Sequence, residues 1–166
     1  PSNWPFITWL IGCLIVALPL LIGSWRVERL RRQSLLVNND TWRQLLTQVA
    51  VRLRLRSLVE LKSSRQVVGP LAGGLFRPFI LLPGSHEAWP EDRSRSVLLH
   101  ELAHVSRRDV QKQWVAHLAC AMFWLHPLAW YAAWRLRVER ERACDDAVLM
   151  LGTRASDYSQ HLLEVA

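Results

Sequence analysis

Cysteine is scarce in this 166-residue chain. Cys13, Cys120 and Cys144 are odd in number and show no Cys-x-x-Cys spacing, which argues against a disulfide framework and a thiolate metal site. Reduced, cytosol-facing chemistry follows. Lysine is nearly absent too: Lys62 and Lys112 are the only two, and the remaining basic residues are Arg. No aromatic-basic recognition motif accompanies the net charge of +7. That charge is read as Arg clustered beside a membrane span, not as a nucleic-acid surface, and direct nucleic-acid binding is not expected. Charge itself is missing from two stretches, residues 6–25 and 113–134. There is no initiator Met, and the chain stops inside an apolar-periodic stretch at residues 161–166. It is therefore read as part of a longer protein.

What is present begins with apolar residues, 51% of the chain, and nine Trp. Residues 6–25 rise about 30 Å as a helix, the thickness of a bilayer core. Gly12, Pro19 and Gly23 are tolerated in a spanning helix, and Trp4, Trp9 and Trp25 stand where an aromatic belt would put them. A transmembrane helix is expected there. Arg26, Arg29, Arg31 and Arg32 follow it against a single Glu28, so positive-inside bias puts residues 26–166 in the cytoplasm.

Residues 26–49 are polar-amphipathic and expected to be helical. The alternation in residues 51–61 predicts a strand. Gly69-Pro70, Gly73-Gly74 and Arg77-Pro78 predict short strands joined by tight turns. The apolar run 79–82 is flanked by Pro78 and Pro83, which suits an edge strand and offers a surface for an added peptide strand. An ordinary core strand is the alternative. Helices are expected over residues 91–104, 109–125 and 128–151. Residues 113–134 would pass for a second span by hydropathy. Basic residues at both ends and Pro127 near the middle predict a buried or membrane-apposed helical hairpin instead.

The chemistry lies in His100-Glu101-Leu102-Ala103-His104. Helix positions four apart share a face, so two imidazoles can grip one zinc ion at about 2.0–2.1 Å. Glu101, beside the first of them, is placed to act as general base on a water at the metal. The alternative, two ordinary helix histidines, is weakened by the apolar residues around them, since buried polar groups need partners. A catalytic zinc commonly takes three protein ligands. Position 110 is Val110, so no third His follows in close sequence. Glu141 is the best candidate, with Asp145 on the same helix face as acceptor for the far nitrogen of a ligand His. A solvated face paired with Arg137, Arg140 and Arg142 is the bland reading of Glu139, Glu141 and Asp145. Tyr158, His126 or an Arg could stabilise an oxyanion; His117 and His126 otherwise read as core or interfacial histidines, and Cys144 as a packing residue.

Three segments in order resemble the BlaR/MecR-type antirepressor metallopeptidases, the beta-lactam-sensing receptors and their relatives. They are His-Glu-Leu-Ala-His-Val-Ser-Arg-Arg-Asp (residues 100–109), Phe-Trp-Leu-His-Pro-Leu-Ala-Trp (123–130) and Arg-Glu-Arg-Ala-Cys-Asp (140–145). The strand segment ending at residues 77–83 is similar as well. The resemblance implies an α+β, gluzincin-like zinc domain with a small sheet and an HExxH helix, attached to an N-terminal transmembrane helix. It implies zinc held by His100, His104 and Glu141, with Glu101 catalytic. Asp109 and Asp145 match acidic family positions that support the ligands. It also implies signalling by site-specific proteolysis of the protein itself or of a cytoplasmic transcriptional repressor. The expected partners are a protein or peptide substrate and the membrane, and a homodimer is compatible with this. A Ser-x-x-Lys motif is missing, and nothing in these residues indicates beta-lactam binding. The rivals are a housekeeping heat-shock-type membrane zinc protease and a non-catalytic signalling scaffold.

Overall fold

A computed structural model of the chain describes residues 2–55 and 57–150. Trp4–Gln33 forms one continuous helix, α1, through Pro19. Its apolar side chains, among them Ile11, Leu14, Ile15 and Leu18, face outwards, and Gly12 is its one buried residue. A helix with an apolar surface on most sides cannot be stable in water alone. α1 is long and apolar enough to cross a membrane.

The sheet is small and mixed. Its strands are β1 (Leu35–Leu36), β2 (Glu60–Ser64), β3 (Leu71–Gly73) and β4 (Phe79–Pro83), in the order β1-β2-β4-β3. β4 runs parallel to β2 and antiparallel to β3. The expectation of an edge strand at residues 79–82 is therefore wrong: β4 is central, buried throughout, and both its sides are paired. The prolines mislead because neither interrupts the ladder. The carbonyl of Pro78 accepts the Glu60 N–H at 3.2 Å, and Pro83 closes the strand, where a missing donor costs little. The edge strands are β1 and β3.

Two further expectations need correction. Residues 26–49 are not one helix. α1 ends at Gln33, β1 follows, and α2 (Asp40–Arg52) starts where the Asn39 side chain accepts the Thr41 N–H at 2.9 Å. The strand expected over residues 51–61 is a strand only from Glu60, where β2 begins; α2 runs on to Arg52 and a turn follows it. The N–H groups of Leu53 and Leu55 bond back to Val49 and Ala50, and Arg54 takes a left-handed φ of 52°. Leu53 and Leu55 alternate because they fold back over the core at a helix terminus.

The core lies between α2, the sheet and α3 (Glu91–Ser106): Trp42, Leu45 and Val49 meet Ile80, Leu82, Leu98, Leu99 and Leu102. The opposite face of β4 turns Phe79 towards α1, under the Arg31 guanidinium. Arg31 also joins Glu28 to Glu60 at 2.8 Å each, and Lys62 donates to the Arg31 carbonyl at 2.9 Å. The base of the apolar helix is thus tied to β2. Beyond α3, a turn with Arg108 at φ 56° leads into α4 (Asp109–Met122) and α5 (Pro127–Met150), an antiparallel hairpin lying alongside α1.

Candidate metal centre

α3 is buried along Leu98, Leu99 and Leu102, and this fixes the direction of its remaining face. His100 and His104 stand one turn apart on that face, against α5. Their Nε2 atoms are 3.2 Å apart. Glu141 on α5 brings Oε2 to 3.6 Å from the His104 Nε2 and 4.0 Å from the His100 Nε2.

The outer nitrogens are held separately. Nδ1 of His104 lies 2.9 Å from Oδ2 of Asp109, and Nδ1 of His100 lies 3.5 Å from Oδ1 of Asp145. A carboxylate at each Nδ1 favours the proton there and leaves both Nε2 lone pairs pointing at one another. Two facing lone pairs beside a carboxylate oxygen are a group that could hold a cation. A tetrahedral ion with bonds of about 2.0–2.1 Å separates its ligand atoms by roughly 3.3 Å, which the observed spacings bracket. The residues fit a zinc ion.

Asp109 is the first residue of α4 and is 2% exposed. Lys112 approaches it at 3.5 Å and Arg107 at 3.6 Å. Cys144 is fully buried below His104, with Sγ 3.2 Å from Nδ1 and 3.7 Å from Asp109. His104, Asp109 and Cys144 are also close enough to form a ligand group. Burial, then the Asp109 charge, push the Cys144 thiol up to about 12, so it remains protonated and serves as a small polar support.

Glu101 lies between Glu141 and the sheet. Its carboxylate is buried and accepts the backbone N–H of Ala72 in β3. Burial raises its pKa to about 7; the Ala72 bond opposes the shift and the nearby Glu141 charge adds to it. Burial, then the proximity of His104, lowers the pKa of His100, while Asp145 and Glu141 pull it back up. The site thus holds a neutral imidazole and a carboxyl poised near neutrality.

Sequence reasoning offered Arg140 only as a partner on a solvated acidic face and missed its link to α4. Its Nη2 lies 3.0 Å from Oε1 of Glu141, and its Nη1 donates to Oε1 of Gln113 on α4 at 2.9 Å. Arg140 therefore holds one Glu141 oxygen and leaves the other facing the imidazoles. Its side chain is 17% exposed against 66% for Arg142, whose partner is the solvated Glu139. In sequence the two arginines look alike; packing against α4 alone separates them. The Ala72 contact was hidden as well, since it depends on β3 being next to α3. His126 lies past the far end of α4, about 21 Å of helix from Asp109, and is not an oxyanion candidate. His117 bonds the Gln113 carbonyl at 2.8 Å, as an interfacial His would. Tyr158 lies outside the described residues.

The family described as BlaR1 peptidase M56 matches residues 5–166. This chain belongs to that family. Regulatory protein BlaR1 of Bacillus licheniformis is 30% identical over 144 residues, covering 87% of this chain and 24% of that protein. The chain thus spans about a quarter of the length of this relative. M56 peptidases are metallopeptidases, and His100, His104 and Glu141 are a group able to hold their metal.

Proposed function

We propose that this chain is the catalytic part of a gluzincin-like zinc metalloendopeptidase, anchored in the membrane by α1 with its active site facing the cytoplasm. It acts in signal transduction by cutting itself or a cytoplasmic transcriptional repressor at a specific site. One observation carries the reading: His100 Nε2, His104 Nε2 and Glu141 Oε2 lie within 4.0 Å of one another, next to the buried Glu101. The regulatory role rests on similarity to a protein named as a regulatory protein, and the orientation rests on the Arg residues after the apolar run.

In this reading His100, His104 and Glu141 hold zinc. When bound, the ion supplies Lewis acidity to the scissile carbonyl and to the attacking water. Glu101 takes the proton of that water and delivers it to the leaving nitrogen. Asp109 and Asp145 orient the two rings, and Arg140 orients Glu141. The outer edge of β3, beside Glu101, offers backbone groups to an extended peptide.

Glu141→Ala in the purified full-length protein is expected to lose both zinc, measured by elemental analysis, and cleavage. Stoichiometric zinc in that variant would remove Glu141 from the ligand set.

A further inference from the structure

The α4–α5 hairpin exposes an unusual amount of apolar surface. Val115, Leu118 and Met122 form one outward stripe on α4; Leu125, Leu128, Trp130, Tyr131 and Trp134 continue it around the turn and onto α5. What covers this surface is indicated by where the hairpin meets α1. The Trp124 indole packs on Gly12 so closely that a Cβ there would collide with it. The Trp9 indole N–H donates to the Met122 carbonyl at 3.1 Å. Gly12 lies inside the apolar run and Trp9 nearer its start, both far from the Arg residues that close it.

The other end of the hairpin matches. A cavity of about 810 Å³ separates Pro19, Leu20 and Gly23 of α1 from Gln113, Trp114 and His117 of α4. The last uncharged residues of α1, Ser24 and Trp25, therefore stand near the level of Lys112, where charge ends on α4. From there to Gly12 is about 18 Å along α1, and from Lys112 to Met122 about 15 Å along α4. A hydrocarbon core is about 30 Å thick. If α1 crosses it, the hairpin tip lies more than halfway through and turns back.

The tip is built for a place without water. The His126 N–H bonds the Phe123 carbonyl at 2.8 Å, the Ala129 N–H bonds that of His126 at 3.1 Å, and the Trp130 indole bonds that of Trp124 at 3.0 Å. With Trp9 on Met122 and the Phe123 N–H on Ala119, several carbonyls at the open end of α4 are satisfied internally, as a bilayer favours, while the Trp124 indole N–H is buried there against α1 without a partner. On α5 the first charge is Arg135. It reaches away from the tip to Glu139 at 2.9 Å, the direction in which a long stem would take it to the headgroups.

We propose that the α4–α5 hairpin is a re-entrant membrane element: it enters the same leaflet that the base of α1 leaves, and its outer stripe contacts lipid acyl chains. The inference goes beyond the peptidase reading and rests on α1 being a span. It places the metal centre, at the root of α4, within a few ångströms of the headgroup layer.

The test uses the full-length protein in liposomes, with Cys13→Ala and single cysteines at Val115, Leu118 or Met122 carrying nitroxide labels; Cys120 and Cys144 are buried. Leu14 on α1 serves as reference. Collision with oxygen is expected to exceed collision with a water-soluble nickel chelate at all three sites, with the ratio rising from Val115 to Met122. A nickel-accessible Met122 beside an oxygen-accessible Leu14 would overturn the inference and leave the span standing, with the hairpin in water. Exclusion of both reagents from the stripe would overturn it in favour of a covering protein segment. A nickel-accessible Leu14 would overturn the span and the inference together. Zinc content and cleavage, measured in parallel, report on the peptidase reading independently.

Discussion

Nδ1 of His104 and Oδ2 of Asp109 are 2.9 Å apart, and the carboxylate that makes this contact is 2% exposed. His100 has a looser counterpart in Asp145, at 3.5 Å, whose side chain is 41% exposed. Partners of this kind fix ring orientation, and their loss commonly weakens metal binding about 10- to 100-fold. Asp109→Asn is expected to fall in that range when zinc affinity is measured by competition with a chelator. Asp145→Asn should lose clearly less. The reverse ranking would mean that burial and distance do not set the strength of the two supports.

Arg140 should matter to the metal and Arg142 should not. A half-exposed ion pair contributes on the order of 0.2–1 kcal/mol, so Arg140→Met is expected to weaken zinc binding by about 1.4- to fivefold. Lys cannot span Glu141 and Gln113 with a rigid fork, so Arg140→Lys should recover only part of this. Arg142→Met should leave zinc affinity unchanged. Equal effects from both would return the two arginines to the status of surface charge.

Much of this centre is legible in the sequence because helical spacing is local. His100 and His104 share a face, as do Glu141 and Asp145, whatever else the chain does. The hairpin is expected from the basic residues at both ends together with Pro127 near its middle. The sheet is harder. Whether residues 79–83 lie at an edge depends on which strands arrive at either side, and two prolines at the ends of a central strand look the same as two on an edge. The two-residue β1 is too short to have a period. Residues 51–55 alternate because a helix end folds back, and alternation over five residues cannot distinguish that from a pleat. Contacts between elements, Arg140 to Gln113 and Ala72 to Glu101, have no trace in a linear pattern.

The buried Glu101 gives the metal-free protein a distinctive pH response. Its folded pKa of about 7 lies above the ordinary carboxylate value of 4.5, so the folded state binds more protons in that window. Stability contributed by the protonated form is fully present below about pH 4.5 and is lost as pH rises through about 7, a change of at most roughly 3 kcal/mol. His100 is shifted the opposite way, so its contribution rises with pH until about one unit above the ordinary value of 6.5 and offsets part of the Glu101 loss. Thermal unfolding of chelated protein should therefore show falling stability between about pH 6.5 and 7.5. Glu101→Gln should flatten that slope. At pH 6, zinc uptake should release a proton that the same variant does not release, because a nearby cation favours the carboxylate.

Glu101→Gln also separates metal binding from chemistry. It is nearly isosteric, leaves His100, His104 and Glu141 untouched, and removes the group assigned to move the proton. Zinc content and proteolysis should be measured side by side in the full-length wild type and this variant. Stoichiometric zinc in both, with cleavage of the protein or its repressor in the wild type alone, is the predicted result. Undiminished cleavage by the variant, or a wild type that cleaves without zinc, would contradict the account.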